Sequence, residues 1–132
     1  MKLITRDTDY AVRALCFIAD KGKELVSADL MVKELKIPRP FLRKILQILN
    51  KKGLLKSYRG KGGGFKLAIS ASKILLTDLI NIFQGSVKIN ECIFKKRLCP
   101  NIKTCLLKKR IDGIQSHVVS ELGSITIASL VR

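Results

Sequence analysis

The sequence predicts a mainly α-helical fold with one small β-hairpin. Three observations indicate it: apolar residues recur at helical spacing in the first half, a glycine-rich hexapeptide joins two β-prone runs, and apolar residues near the C-terminus repeat at steps of four and three. The chain has 132 residues, of which 47% are hydrophobic. This is enough for one compact domain with a hydrophobic core and a short appendage.

The first two helices are bounded by capping residues. The first is predicted over residues 8–20, with Thr8 as its N-cap. The second is predicted to follow Ser27, a favoured N-cap residue, and to end near Lys36. Its buried side should carry Leu30, Met31 and Leu35.

The third helix is predicted to have one apolar and one basic face. Pro38 and Pro40 mark its start, and Gly53 marks its end. The apolar face consists of Phe41, Leu42, Ile45, Leu46, Ile48 and Leu49. The opposite face carries Arg39, Arg43, Lys44, Gln47 and Lys51. One side of this helix should therefore pack in the core while the other faces outward.

The two β-prone runs, residues 54–58 and 65–69, are separated by the sequence RGKGGG at residues 59–64. This pattern predicts a hairpin with a glycine-rich tip. Three helices followed by such a hairpin form a winged helix-turn-helix domain. After the hairpin, Thr77 is predicted to cap a short helix that continues through Phe83 and is ended by Gly85.

The last quarter of the chain is predicted to be a long helix. Its apolar stripe is narrow, as in helix-on-helix seams, and indicates a dimer interface. The stripe comprises Leu107, Ile111, Ile114, Val118, Leu122 and Ile125. Residues 126–132 are predicted to form either one more helical turn or an extended tail. The chain thus divides into a winged helix-turn-helix domain at 1–85, a cysteine-rich loop at 86–104, and a dimerisation helix with a tail at 105–132.

The charge balance predicts a polyanionic partner. Lys and Arg number 26 against 10 Asp and Glu, which gives a formal net charge of +16. Nucleic acid is the leading candidate, and an anionic membrane surface is the second. Charged residues interrupt any signal-peptide core near the N-terminus, and no apolar run approaches the length of a membrane span. We therefore expect a cytoplasmic protein without a membrane partner.

The outward face of the third helix supplies candidate DNA contacts. Arg43 and Gln47 lie one turn apart and can reach base edges, whereas Arg39 and Lys44 are suited to phosphates. Pro40 begins the same face and completes the candidate set on this helix. The alternative is an ordinary amphipathic helix with a solvated charged face, which is the commoner origin of such a pattern in isolation. The hairpin and the net charge favour double-stranded DNA.

The hairpin tip supplies two further candidates, Arg59 and Lys61. Glycines allow the backbone to approach a surface closely, so the tip could contact phosphates or the minor groove. The alternative is a flexible surface turn. The glycines do not match the phosphate-binding pattern G-x-x-x-x-G-K-[ST], which argues against nucleotide binding.

Three cysteines, Cys92, Cys99 and Cys105, follow the spacing C-x6-C-x5-C. Soft thiolates gathered in one loop are suited to an iron–sulfur cluster, either 2Fe–2S or 4Fe–4S. Structural zinc is less favoured because the close C-x2-C pair is absent. Structural thiols and a metal-free redox-active set stay open as alternatives. The fourth cysteine, Cys16, lies on a helical face and is interpreted as a small packed residue.

Several motifs together resemble the Rrf2 family of bacterial regulators. They are TDYAVRAL at residues 8–15, FLRKIL at 41–46 with KGL at 52–54, and RGKGGGF at 59–65. The three downstream cysteines extend the likeness nearly from end to end. The resemblance implies a homodimeric winged-helix repressor or activator that dimerises through the long helix and whose iron–sulfur cluster alters DNA binding.

The resemblance also bears on the ligand that would complete the cluster. IscR-like members use a histidine three residues after the last cysteine, where this chain has Lys108, and the single histidine, His117, lies farther along the predicted dimer helix. NsrR-like members use an aspartate at the start of the first helix of the other subunit, and Asp9 occupies that place. An alternative role for Asp9 is to interact with the helix dipole. Asp7, Glu91 and solvent are further candidates for the ligand.

Three hypotheses follow for the function. The leading one is a homodimeric, sequence-specific transcriptional regulator controlled by a cluster on Cys92, Cys99 and Cys105. The second is a cluster-free winged-helix regulator switched by thiol redox chemistry or by a protein partner such as a metabolic enzyme. The third is a zinc-bearing RNA-binding module. An enzyme is not expected, because paired carboxylates and a nucleophile with a placed base are missing from the sequence.

Overall fold

The computed structural model describes residues 3–87 and 105–131. The described residues form helices joined by short connections, with one two-stranded antiparallel sheet. In chain order the elements are α1 (Arg6–Asp20), α2 (Ala28–Leu35), α3 (Arg39–Lys51), β1 (Leu55–Tyr58), β2 (Gly64–Leu67), a 3-10 turn (Ala71–Lys73), α4 (Leu76–Phe83), α5 (Leu106–Gly123) and α6 (Ile127–Leu130). The predicted mainly α-helical fold with a hairpin is confirmed.

Helix α1 begins earlier than predicted. Thr5, and not Thr8, is the N-cap: the Thr5 hydroxyl accepts a hydrogen bond from the backbone N–H of Thr8 at 3.4 Å. Thr8 instead lies inside the first turn, where it is fully buried. Two threonines spaced three residues apart both satisfy the sequence pattern for a cap, so the pattern alone could not distinguish them.

Helix α2 confirms the predicted cap at Ser27, whose hydroxyl accepts from Leu30 N–H at 3.1 Å. The helix ends with Lys36 in a left-handed conformation at φ 56°. Leu30 was predicted to be buried but is 39% exposed. Its neighbour Met31 faces the core, and adjacent helix positions differ by about 100° in direction, which turns Leu30 toward the surface.

Helix α3 packs through Leu42, Ile45, Leu46 and Leu49, all of which are buried. Phe41, predicted on the same apolar face, lies at its border and is partly exposed. The core that receives α3 is shared with α1, α2, the hairpin and α6. Helix α3 is therefore anchored along one side from Leu42 to Leu49.

The hairpin follows the predicted arrangement, with Leu55 paired to Leu67 and Tyr58 paired to Gly64. An isolated bridge between Val26 and Phe65 ties the second strand to the chain before α2. A Cβ atom at Gly64 would lie 2.6 Å from the Val26 carbonyl oxygen, so only glycine fits this approach. Gly64 thus allows the backbone of the hairpin to lie directly against the chain before α2.

Helix α4 does not use the predicted cap at Thr77. Its N-cap is Leu75, whose backbone N–H donates to the Asp78 carboxylate at 3.1 Å. The carboxylate accepts a hydrogen bond from an N–H that has no partner within the helix, and its negative charge interacts favourably with the positive end of the helix dipole. At the other end Gln84 is the C-cap, and Gly85 follows at φ +82°.

Helix α5 carries the predicted apolar stripe, and among the described residues its C-terminal part is the part that packs against the rest of the chain. Leu122 is buried against Leu76 and Ile80 of α4. Leu106 and Leu107, at the opposite end, are 77% and 71% exposed. Across the two described ranges, none of the helices is long and apolar enough to cross a membrane.

The chain end forms a helical turn, which was one of the two predicted alternatives. Ile127 of α6 is fully buried in the same core as α1, and its backbone N–H donates to the Ile74 carbonyl at 2.9 Å. A second bond of 2.9 Å runs from Leu76 N–H to the Ile125 carbonyl. The predicted three-part division of the chain stays a prediction, and the last turn contributes to the core of the first part.

Candidate functional site

The outward face of α3 carries all five of the residues predicted to contact DNA from this helix. Each of them is exposed, and the four buried residues of α3 lie on the other side. The exposed set is Arg39, Pro40, Arg43, Lys44 and Gln47. A helix locked in the core on one side and bearing long hydrogen-bonding side chains on the other has the form that major-groove recognition requires.

Arg39 is not a free cation, which sequence reasoning missed. Its guanidinium pairs with the Asp29 carboxylate of α2. Both side chains are largely exposed, so the pair contributes at most about 1 kcal/mol to stability. Its effect is positional, because it holds Arg39 at the corner where α2 meets α3.

A second unpredicted contact joins α1 to the beginning of α3. The guanidinium carbon of Arg6 lies 4.3 Å from the centroid of the Phe41 ring, a cation–π distance. The Tyr10 ring of α1 also packs against the Phe41 ring, with 6.5 Å between the two centroids. Phe41 lies in a different helix from Arg6 and Tyr10 and far from them in sequence, so no spacing pattern could have indicated the contact.

The hairpin tip places Arg59 and Lys61 at the surface, as predicted. A third cation, Lys66, lies over the Tyr58 ring at 5.1 Å from its centroid. A Cβ atom at Gly63 would come within 2.2 Å of the Tyr58 carbonyl oxygen, which makes glycine necessary for this tight turn. The wing is therefore a compact, positively charged projection.

Of the predicted cluster ligands, Cys92 and Cys99 lie outside the described residues. Cys105 is half-buried and is the N-cap of α5, where its sulfur accepts from Lys108 N–H at 3.4 Å. The Lys108 ammonium pairs with Asp112 at 2.7 Å. The Cys105 sulfur thus lies at the N-terminus of α5, at the border of the segment that carries the other two cysteines.

Asp9, the predicted fourth ligand, lies in the first turn of α1. Its carboxylate pairs with the Arg13 guanidinium one turn later, with 3.0 Å between Oδ2 and Nε. The carboxylate is partly exposed, so a group from another molecule can reach it. His117 is exposed on α5.

Cys16 is packed against the core of α1, in agreement with the prediction. Burial raises the pKa of its thiol above the usual 9.0, because the thiolate would lose hydration. A thiol kept protonated in this way is a poor metal ligand.

A hydrogen-bond cluster around Gln84 connects the beginning of α1 to the end of α4. The Gln84 Oε1 atom accepts from the Thr8 hydroxyl at 2.7 Å and from Thr5 N–H at 3.0 Å. The Gln84 Nε2 atom donates to the Leu3 carbonyl at 3.0 Å. We call these four residues the Gln84 cluster. It joins the segment that leads to the cysteines to the helix that carries Asp9 and Arg6.

Comparison with known proteins identifies the family. A family model named Rrf2 and described as an iron-dependent transcriptional regulator matches residues 4–132. The chain belongs to the Rrf2 family. Rrf2 proteins are transcriptional regulators and not enzymes, as predicted. Among curated Rrf2 relatives, the helix-turn-helix-type transcriptional regulator NsrR of Bacillus subtilis (strain 168) is 28% identical over 134 residues, covering 100% of this chain and 91% of the relative.

Solved structures agree with the Rrf2 assignment. CymR (YrzC), the global cysteine regulator of B. subtilis, is similar with a TM-score of 0.80 and 24% identity, covering 98% of this chain and 96% of that one. IscR of T. potens is similar with a TM-score of 0.74 and 26% identity, covering 98% and 85%. The winged-helix fold predicted for this Rrf2 protein is confirmed.

Proposed function

We propose that this Rrf2 protein is a homodimeric, sequence-specific DNA-binding regulator whose DNA binding is controlled by an iron–sulfur cluster on Cys92, Cys99 and Cys105. The observation that carries the proposal is the position of Cys105. The last cysteine of the C-x6-C-x5-C set caps the long helix α5 directly. A ligand that engages this sulfur would act at the start of α5.

The DNA-binding part rests on two basic surfaces. The exposed face of α3 carries Arg43 and Gln47 for base edges, and Arg39 and Lys44 for phosphates. The wing adds Arg59 and Lys61. If a dimer engages roughly 6 to 10 phosphates, its affinity should fall on the order of a thousandfold or more from low to moderate salt. A salt-independent affinity would contradict this part of the proposal.

The cluster part rests on the chemistry of the donors. Thiolates are the soft ligands that iron–sulfur clusters prefer, and Cys105 presents its sulfur at the N-terminus of α5. We propose Asp9 of the partner subunit as the additional ligand, since its carboxylate is partly exposed and, among the described residues, pairs with the exposed Arg13. The bound cluster would be a group whose occupancy depends on iron supply and on oxidants. Cys105 would connect it to the start of α5, and Asp9 would connect it to α1 of the partner subunit.

The homodimer part rests on the exposed apolar side chains of α5. Leu106, Leu107, Ile114 and Val119 are large, apolar and exposed on one helix. Leu107 and Ile114 belong to the predicted stripe and lie about 20° apart around the helix axis, so they offer an apolar strip to a partner helix. Dimerisation through α5 would place the two recognition helices at a fixed separation, which suits two half-sites on one duplex.

The Gln84 cluster is the proposed connection between the two parts. It lies directly before the segment that holds the cysteines and bonds to the first turn of α1. Control of DNA binding requires that the iron–sulfur cluster favours one of two arrangements of the dimer over the other. A shift of the segment after Gln84 would reach α1 through these hydrogen bonds.

The test is anaerobic purification followed by an absorption spectrum, counts of iron and sulfide, and DNA-binding titrations with and without chelator. We expect a coloured protein that loses its iron in Cys99→Ala and keeps it in Cys16→Ala, which is the matched control. A colourless, iron-free protein under these conditions would overturn the proposal of an iron–sulfur cluster. If the DNA affinity of that iron-free protein then followed thiol oxidation, the switch would be the cysteines themselves.

A further inference from the structure

Arg6 is a cation at the recognition end of the domain that belongs to neither α3 nor the wing. Its guanidinium lies over the Phe41 ring, in the first turn of α3, at 4.3 Å. The side chain is 60% exposed. Within residues 3–87 and 105–131, its ion-pair partner is Asp7, at 3.9 Å between Nε and Oδ1, which is close to the outer limit of an ion pair. The donors of Arg6 are therefore available to a ligand.

Helix geometry places Arg6 on a particular side of α3. At about 100° per residue, the outward face is centred on Pro40, Lys44 and Gln47. Arg39 lies on one flank of that face, beside α2, to which it is tied by Asp29. Phe41 lies on the other flank, where it holds Arg6. The recognition face thus has an anchored arginine on each side.

The shape of DNA gives this arrangement a meaning. The major groove is about 12 Å wide, and a helix with its side chains is about 10–12 Å across. A helix in the groove therefore has a phosphate backbone beside each flank. We propose that Arg6 contacts a backbone phosphate on the strand opposite to the one that Arg39 faces. This inference rests on the proposed DNA-binding function.

The position of Arg6 over the Phe41 ring suits the proposed contact. A guanidinium is planar and carries its N–H groups at its edge, so contact of its face with a ring leaves these groups able to donate two parallel hydrogen bonds to one phosphate. Tyr10 supports the ring from α1, with 6.5 Å between the two centroids. Arg6 is thus ordered before DNA arrives, which lowers the entropy lost on binding.

The experiment compares Arg6→Gln with Lys21→Gln, each of which removes one positive charge. Lys21 is the matched control because it lies over the Phe17 ring at 5.2 Å, at the other end of α1. The purified full-length protein is titrated by fluorescence anisotropy against a mixed-sequence DNA duplex over a range of salt concentrations. Such a duplex reports phosphate contacts without requiring the operator.

We expect Arg6→Gln to weaken binding and to reduce the slope of log K against log salt by about 0.9 for each phosphate that is no longer neutralised, so by about 2 in a dimer. Lys21→Gln should leave the slope close to that of the unchanged protein. Equal slopes in all three proteins would overturn the inference and leave the proposed function standing. If the unchanged protein failed to bind duplex DNA, the proposed function itself would fail.

The role of the ring is tested by repeating Arg6→Gln in a Phe41→Leu background. Without the ring, Arg6 is no longer positioned, so its removal should cost a smaller fold-change in affinity than in the unchanged protein. The same fold-change in both backgrounds would show that Phe41 does not position Arg6. Arg6→Lys should recover only part of the affinity, since an ammonium lacks the planar pair of donors.

Discussion

The Gln84 cluster offers a quantitative test of how α1 is joined to α4. The perturbations are Thr8→Val, which replaces the hydroxyl by a methyl group, and Gln84→Leu, which removes the amide while keeping a similar volume. Thr8 is fully buried and its hydroxyl donates to Gln84 over 2.7 Å. Both changes therefore remove hydrogen bonds while leaving the packing largely in place.

The expected magnitudes follow from the number of bonds. Thr8→Val removes the bond to Gln84 and the 3.2 Å bond between the Thr8 and Thr5 hydroxyls, and since a typical intramolecular hydrogen bond contributes about 1 kcal/mol net, we expect a loss of about 2 kcal/mol. Gln84→Leu removes three bonds, but the side chain is only half-buried, so we expect a loss of about 2 kcal/mol in the free energy of unfolding. The double variant should lose about 1 kcal/mol less than the sum, because the shared bond is then counted once.

The assay is urea unfolding of the four proteins, followed by circular dichroism at one fixed protein concentration and in the presence of chelator. With a urea dependence of about 2 kcal/mol per molar, Gln84→Leu should lower the midpoint by about 1 M. Effects of the two single changes that add within about 0.5 kcal/mol would refute the shared bond. Equal stability of all four proteins would refute the Gln84 cluster as a stabilising connection between α1 and α4.

Two further predictions concern the core and the buried thiol. Ile127→Ala should lower the unfolding free energy by about 2–5 kcal/mol, since Ile127 is 0% exposed, whereas Leu130→Ala, at 46% exposure on the same turn, should cost much less in the same urea assay. Similar losses would mean that α6 does not complete the core. Burial raises the pKa of Cys16, so the folded protein retains a proton that the unfolded chain releases above pH 9.0, and stability should fall as pH rises through that range. Urea midpoints measured from neutral to alkaline pH should decline less steeply in Cys16→Ala, and parallel declines would contradict the pKa shift.

The sequence predicted the elements of the fold because their signals are local. The spacing of Leu42, Ile45, Leu46 and Leu49 encodes the buried side of α3 directly, and the glycines of the tip encode the hairpin. The misplaced cap at Thr8 arose because two threonines satisfied one local rule. Only burial of Thr8 beneath Gln84, a contact between distant segments, distinguishes it from Thr5.

The parts of the candidate site that could not be predicted are contacts between elements. Asp29 with Arg39 and Arg6 with Phe41 join different helices, and spacing within one helix carries no information about such pairs. Exposure at the border of an apolar face, as at Leu30 and Phe41, likewise depends on the direction from which neighbouring helices approach. By contrast, the outward direction of Arg43 and Gln47 followed from helix periodicity alone.

The burial of Ile127 among residues of α1 has a consequence for how the protein matures during translation. Helix α1 is made early and Ile127 late, and the two are packed in one core. The ribosome therefore synthesises the three cysteines before the residue that completes this core. A nascent chain thus acquires its finished recognition surface only after the cysteines of the proposed cluster have been made, so binding of that proposed cluster and the final step of folding can overlap in time.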